Sequence, residues 1–195
     1  MNMMLTRDKL YSLQQYARIR PEFRTTIIEH KESRRVLLGE HATLHYEDSL
    51  TMQYQVQEML RLERIFDVDG VEQELKVYNP LIPDGTNWKA TFMIEYEDVD
   101  ERRQALLQLA GIEKTAWMQV AGCDRVYAIA NEDMDRETDG KTSAVHFLRF
   151  ELAPEMINLA KKGAAIRAGI DHPEYQKEVV LPQQVRDSLA GDLAD

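Results

Sequence analysis

The hydrophobic pattern of this chain changes its period near Trp88, and that change limits the fold more than any other feature. Before it, apolar residues recur at the spacing of amphipathic helices. From Trp88 to Tyr96 apolar and polar residues alternate, as in a strand with one buried face. Helices dominate both ends, and strands cluster in the middle without βαβ alternation. We therefore predict an α+β fold with a central antiparallel sheet covered by helices, which are concentrated at the N- and C-terminal ends.

The predicted elements follow one another without a linker rich in Pro, Gly or Ser. Helices are predicted over residues 6–20, 21–29, 49–66, 71–78, 99–110 and 154–169 and from Pro182 onward. Strands are predicted over 34–38, 41–47, 88–96, 115–120, 125–130, 143–152 and 178–181. The β-branched run 25–28 is also compatible with an extended segment. We predict a single domain over 1–195, with an N-terminal helical and hairpin part (1–86) and a sheet-centred part (87–195).

The charge of the chain argues against a broad nucleic-acid surface. Its 24 Lys and Arg and 34 Asp and Glu residues give a net charge of −10, which repels phosphate backbones. No apolar stretch is long enough for a signal peptide or a membrane span. We therefore expect a cytoplasmic protein that binds neither nucleic acid nor membrane.

Helix 49–66 carries an acidic residue at an unexpected position. At helical spacing Glu63 falls inside an apolar stripe, which is formed by Met52, Val56, Met59, Leu60 and Phe66. A carboxylate on a core-facing stripe must be paired, protonated or bound to a metal, because an isolated buried charge is costly. We favour an ion pair with Arg34 or Arg35 over catalysis or metal ligation.

His146 is the second polar residue that the pattern places in the core. In strand 143–152 it shares one face with Ala144, Leu148, Phe150 and Leu152. A histidine in such a position is more often a hydrogen-bonded core residue than a ligand. An approach of Glu63 to His146 across the core would favour a functional pair instead.

A third candidate is the segment HATLHYE at 41–47. As a strand it places His41, His45 and Glu47 on one face, together with Thr43. Imidazole and carboxylate groups on one face can bind a divalent metal, although a solvated strand face has the same pattern.

The acidic loop that follows residue 130 resembles half of a calcium-binding loop, through Asp135, Glu137, Asp139 and Gly140. The last position of such a loop is normally a glutamate that binds calcium through both oxygens, but here it is His146, and a strand follows instead of a helix. We therefore predict a turn between two strands and no calcium site.

Motifs of the commonest enzyme classes are absent from the sequence. It contains no glycine-rich phosphate loop, nucleophile elbow, HExxH or CxxC. Its single cysteine, Cys123, excludes a disulfide within the chain. The sequence therefore requires no cofactor and leaves open whether the protein is an enzyme.

Several segments together resemble a bacterial family known only as a domain of unknown function. They are RRVLLG, YEDSLTMQYQVQEMLRLE, ELKVYNPLIP, ATFMIEY, VHFLRFEL and DHPEY, and in this order they span nearly the whole chain. Members of that family are commonly encoded beside a rubrerythrin-like di-iron protein and an iron–sulfur oxidoreductase resembling a heterodisulfide reductase subunit. The resemblance implies a place in an oxidative-stress or electron-transfer module. It transfers no catalytic residue.

Two functional hypotheses follow. The first is an accessory or interaction protein of such a redox module, which binds the rubrerythrin-like protein or the iron–sulfur oxidoreductase through a helical face. The alternative is a metal-binding protein or metal-dependent enzyme that uses His41, His45 and Glu47 with Glu63 or His146. A divalent metal is a possible cofactor only under this alternative.

Overall fold

The computed structural model of the protein describes residues 4–132 and 141–194, and the alternating segment at Trp88 forms a central strand. Its helices are α1 Leu13–Glu32, α2 Ser49–Glu63, α3 Val68–Tyr78, α4 Val99–Gln108, α5 Pro154–Lys161 and α6 Gln183–Ala190. Its strands are β1 Arg35–Leu37, β2 Ala42–Tyr46, β3 Asn87–Ile94, β4 Ala116–Val120, β5 Val126–Tyr127, β6 Ile129–Ala130, β7 Val145–Glu151, β8 Ile166–His172 and β9 Tyr175–Val180. Asp135, Glu137, Asp139 and Gly140 of the acidic loop lie outside the described residues.

The strands form two antiparallel sheets. The first has the order β1-β2-β3-β7-β6 and the second the order β5-β4-β8-β9. The α+β class and the antiparallel pairing are confirmed, and the structure adds a second sheet that the sequence pattern did not predict. Strands β1 and β2 come from the 1–86 part and pair with β3, so both predicted parts of the chain share one sheet.

The larger hydrophobic core lies between the two sheets. It contains Leu44 and Phe92 from the first sheet and Met118 and Ile170 from the second. The Tyr46 hydroxyl donates to the Met118 sulfur across this core at 2.8 Å. A smaller apolar cluster joins the helices of the N-terminal half and includes Met52, Val56, Leu60, Leu75 and Ile82. Among the described residues, no helix is both long and apolar enough to cross a membrane.

Helix α1 runs unbroken through Pro21, where the sequence predicted a boundary between two helices. A proline inside a helix removes a hydrogen bond and clashes with the preceding turn, at a cost of about 3 kcal/mol. A capping box at Ser12 and tertiary packing offset that cost. The Phe23 ring makes edge contacts with Tyr11, Tyr16 and Tyr54. Tertiary contacts thus override the local signal.

Strand β8 occupies part of the segment that was predicted as a helix over 154–169. Helix α5 ends at Lys161, and Ile166, Ala168 and Ile170 then alternate into the core. Gly169, which was predicted to end the helix, lies directly opposite Trp117 in the sheet. A methyl group at Gly169 would overlap the Trp117 ring and lie 2.7 Å from the Lys177 carbonyl oxygen. The glycine therefore makes room for a buried indole inside a strand.

We expect Gly169→Ala to destabilise the protein by about 1–3 kcal/mol, because the added methyl group must displace the Trp117 ring or the β9 backbone. Urea unfolding followed by tryptophan fluorescence would measure the change. Gly191→Ala is the matched control, because Gly191 has a φ of −67°. An unchanged unfolding midpoint for Gly169→Ala would show that this close approach does not constrain the sheet.

Candidate functional site

A cleft of about 570 Å³ lies on the outer face of the first sheet, on the side away from the core. Its floor includes Lys89, Phe147 and Arg149, which alternate along β3 and β7 with residues of the core. Its wall is the end of α3 and the turn after it, with Lys76, Val77, Tyr78, Pro80 and Leu81. The volume falls in the range of small-molecule binding sites, about 300–1,000 Å³.

Two cations stand side by side on the floor of the cleft. Lys89 and Arg149 are directly opposite each other in the register of β3 and β7. The Lys89 ammonium donates to the carbonyl oxygens of Pro80 at 2.7 Å and Ile82 at 2.9 Å. Burial lowers the pKa of Lys89, and the nearby Asp84 opposes this shift. Like charges directly opposite each other destabilise a sheet, so other groups must compensate them here.

Arg149 is compensated by a paired carboxylate at the edge of the cleft. Its Nε and Nη2 atoms donate to the two Glu132 oxygens at 2.8 and 2.9 Å, and Nη1 donates to Glu151. This is the planar two-bond arrangement by which arginine recognises carboxylates. The hydrogen bond from Arg149 lowers the pKa of Glu132. The Glu132 side chain nevertheless remains 53 % exposed.

Glu47 also lines the cleft, and its charge is held by hydroxyl groups. The residue is 6 % exposed, and its carboxylate accepts from Thr91 Oγ1 at 2.6 Å and Thr51 Oγ1 at 2.7 Å. Glu47 directly follows β2, which ends at Tyr46. The sequence did not predict that α2 and β3 would cover Glu47 with these two threonines.

The predicted metal face does not converge in the structure. The His41 ring stacks on Tyr96 at 3.9 Å, and its Nδ1 atom lies 3.0 Å from the Glu95 carbonyl oxygen. Burial lowers the pKa of His45. Strand rise separates His41 from His45 by about 13 Å and from Glu47 by about 20 Å. In residues 4–132 and 141–194 no three His, Cys, Asp or Glu side chains are placed to hold a metal.

His146 is buried, as its strand position indicates, and is 1 % exposed. Its Nε2 atom lies 2.9 Å from Thr142 Oγ1 and 3.9 Å from the carboxylate of Glu113, which is itself 2 % exposed. The Nδ1 atom lies 3.1 Å from Asn131 Oδ1. Glu113 lies in a short turn after Gly111, where no periodic pattern marks a buried residue. The pair is enclosed in the core, which is typical of a structural polar group.

Glu63 is exposed, and the prediction that it faces the core is wrong. Helix α2 ends at Glu63, and Arg64 then adopts a left-handed conformation with a φ of 55°. The buried stripe therefore stops one turn earlier, at Leu60. An ion pair of Glu63 with Arg34 or Arg35 is likewise absent from the described residues.

The acidic residue that α2 does hold in a polar cluster is Glu58. It accepts from the Tyr16 hydroxyl at 2.8 Å, from Arg20 Nε at 2.7 Å and from Arg61 Nη2 at 3.0 Å. The bonds from Tyr16 and Arg20 fasten α1 to α2, and the bond from Arg61 lies within α2. The hydrogen bonds from Arg20, Arg61 and Tyr16 lower the pKa of Glu58 to about 2, although burial opposes them.

The turn between α2 and α3, together with the helix ends on either side of it, exposes large apolar side chains to solvent. Leu62 is 61 % exposed, Phe66 76 % and Val68 53 %. We call these three residues the apolar turn. A groove of about 290 Å³ adjoins it and is lined by Leu10, Leu13, Leu60, Ile65 and Val71 together with Phe66. Scattered single apolar residues are ordinary on a protein surface, whereas a grouped set marks an interaction site.

These features define a class of protein: an α+β fold of two packed antiparallel sheets, with a lined cleft and an exposed apolar turn. Residues 4–193 match the model of the family described as a protein of unknown function, DUF3501, and the chain belongs to that family. The resemblance to an uncharacterised family is thereby confirmed.

A solved relative has the same fold over its whole length. The chain is similar to a novel protein of unknown function from Burkholderia pseudomallei K96243, known from a crystal structure at 1.90 Å resolution. The two are 49 % identical, the match covers 98 % of this chain and 100 % of the other, and the TM-score is 0.94. No curated protein matches the chain.

We expect the stability contributed by Glu58 to depend on pH. Its pKa is lowered from 4.5 to about 2, so the folded protein favours the ionised form. The contribution is present above pH 4.5 and is lost as the pH falls towards 2. The free energy of unfolding of the native protein should therefore exceed that of Glu58→Gln by roughly 1.5–3 kcal/mol at neutral pH.

The difference in the free energy of unfolding between the native protein and Glu58→Gln should shrink when urea unfolding is repeated at lower pH. Glu63→Gln is the control, because Glu63 is exposed on the same helix and should give no such gap. A gap that stayed constant from pH 7 to pH 3 would contradict the role of the Glu58 charge.

Proposed function

We propose that this protein is an accessory interaction protein that binds a partner protein through the apolar turn at Leu62, Phe66 and Val68. The exposure of these three side chains within seven residues is the observation that carries the proposal. Burying a large apolar side chain on association gains about 1.5–3 kcal/mol. Leaving three of them in water forgoes that gain unless a partner covers them.

The shape of the surface supports protein binding. Phe66 projects from a turn and lies beside an apolar groove, so a partner can bury the ring and also insert its own side chain next to it. Aromatic residues in such positions commonly contribute most of the binding energy of an interface. Leu62 and Val68 belong to the helices on either side of the turn, so a partner bound here would also contact helical residues.

The proposed partners follow from the family. The resemblance implies that members are commonly encoded beside a rubrerythrin-like di-iron protein and an iron–sulfur oxidoreductase, and we propose these two as the binding partners. The protein would then act in an oxidative-stress or electron-transfer module. It would hold or orient redox proteins without itself carrying a redox group.

The test uses purified proteins. The chain is immobilised, and the di-iron protein and the iron–sulfur oxidoreductase of the same organism are passed over it separately. We expect at least one to bind, and we expect Phe66→Asp to weaken that binding by about thirtyfold or more, since an interface aromatic is worth about 2 kcal/mol or more.

Leu107→Asp is the matched control, because Leu107 is 52 % exposed on α4 and lies outside the apolar turn. It makes the same apolar-to-acidic change and should leave binding unaltered. Failure of both redox proteins to bind, or equal loss of binding in Phe66→Asp and Leu107→Asp, would overturn the proposal.

A further inference from the structure

At the edge of the cleft, Glu132 binds Arg149 in the way that the carboxylate of a ligand would. Glu132 presents both carboxylate oxygens to Nε and Nη2 of Arg149, at 2.8 and 2.9 Å. The side chain of Glu132 is 53 % exposed and that of Arg149 is 25 % exposed. Because more than half of the Glu132 side chain is open to water, it can turn away from Arg149 without burying its charge, and a ligand carboxylate can take its place on the same fork.

An added anion fits the charges of the cleft only as a replacement for one of its carboxylates. The lining contains three cations, Lys76, Lys89 and Arg149, and two carboxylates, Glu47 and Glu132. Beside the lining, Glu151 also accepts from Arg149 and Asp84 acts on Lys89, so the cations are already compensated. Glu47 is held by Thr51 and Thr91 and faces no cleft cation in a hydrogen bond among the described residues. If Glu132 moved away, Glu151 would be the one carboxylate left on Arg149 among the residues that the structure describes.

Lys89 is placed to contact the same anion as Arg149. Two of its three N–H groups donate to the carbonyl oxygens of Pro80 and Ile82, which fix the ammonium at the floor of the cleft. Its third N–H group can meet a ligand oxygen. The cross-strand pairing sets the Lys89 and Arg149 side chains next to each other, so one anionic head can contact both.

The remaining lining is apolar and suits a hydrocarbon tail. Phe147 lies on the floor, and Val77 and Leu81 lie on the wall. Val77 is 61 % exposed although it borders the cleft, so a ligand there would cover an apolar side chain. A volume of about 570 Å³ accommodates a chain or ring system of modest length.

We propose that this cleft binds a small amphipathic carboxylate, whose carboxylate replaces that of Glu132 on Arg149 and whose apolar part lies against Phe147, Val77 and Leu81. Arg149 determines the preference for a planar carboxylate, because its fork matches two oxygens at once. Glu132 acts as an internal competitor that occupies the fork when no ligand is present. The site lies apart from the apolar turn, so it adds a function to partner binding.

The probe is octanoate, titrated into the whole protein by calorimetry at low ionic strength, with octanamide as its uncharged counterpart. We expect octanoate to bind and octanamide to bind about tenfold more weakly or worse, because the amide has no charge for Arg149. Arg149→Met should weaken octanoate binding by about tenfold or more. Glu132→Gln should strengthen it several-fold, because an uncharged amide competes less well for the fork.

Arg103→Met is the matched control, because Arg103 pairs with Asp100 on α4, away from the cleft, and should not affect affinity. Glu132→Gln leaves Arg149 in place, so the proposal stays testable if Arg149→Met does not fold. Absence of octanoate binding, equal affinity for octanamide, or unchanged affinity in Glu132→Gln would each overturn the proposal. Because Phe66→Asp leaves the cleft intact, none of these results bears on partner binding.

Discussion

The buried guanidinium group of Arg34 holds together parts of the chain that are far apart in sequence. It is 2 % exposed and donates from Nε to the Tyr46 carbonyl oxygen at 3.0 Å and from Nη2 to that of Glu47 at 3.0 Å. The same group donates to Ser188 Oγ at 2.9 Å and to the Asp192 carboxylate at 2.5 Å. A buried charge is tolerated only when its donors are satisfied, so these four contacts must form together. They attach the C-terminal helix to the junction of β2 and α2.

That junction positions both proposed binding surfaces. Asp48 caps α2, and it lies 2.6 Å from His30 Nε2 and 3.5 Å from Arg34 Nε. Burial alone would raise the pKa of Asp48, but Arg34, the Thr51 N–H group and His30 together lower it. Glu47, whose backbone Arg34 holds, points its carboxylate into the cleft. The other end of α2 leads into the apolar turn. The N-terminus of α2 at Asp48 therefore positions both Glu47 in the cleft and the apolar turn.

The spacing of apolar residues predicted the elements whose burial depends on neighbours in the sequence, but not the contacts between residues far apart in the chain. Alternation placed Phe92 and His146 in the core. Gly111 adopts the left-handed conformation that a helix-ending glycine commonly has, with a φ of 82°, but α4 ends earlier, at Gln108. The second sheet was not predicted, because β8 contains small residues and Gly169 in place of a typical strand pattern. That glycine is needed to make room for Trp117, which is distant in sequence. The cleft depends on the register of β3 against β7, which brings Lys89 beside Arg149, and no local pattern shows that pairing. Local patterns likewise do not show that the carboxylate near His146, at 3.9 Å, belongs to Glu113 and not to Glu63.

A double-mutant cycle on the Arg34–Asp192 pair, measured by urea unfolding, tests the central role of this arginine most directly. Arg34→Met should reduce the free energy of unfolding by roughly 3–5 kcal/mol, because it leaves a buried carboxylate and two carbonyl oxygens without their donor. Arg34→Met combined with Asp192→Asn should cost less than the sum of the two single changes by about 1 kcal/mol or more. Strictly additive losses, or an Arg34→Met variant as stable as the native protein, would contradict the account.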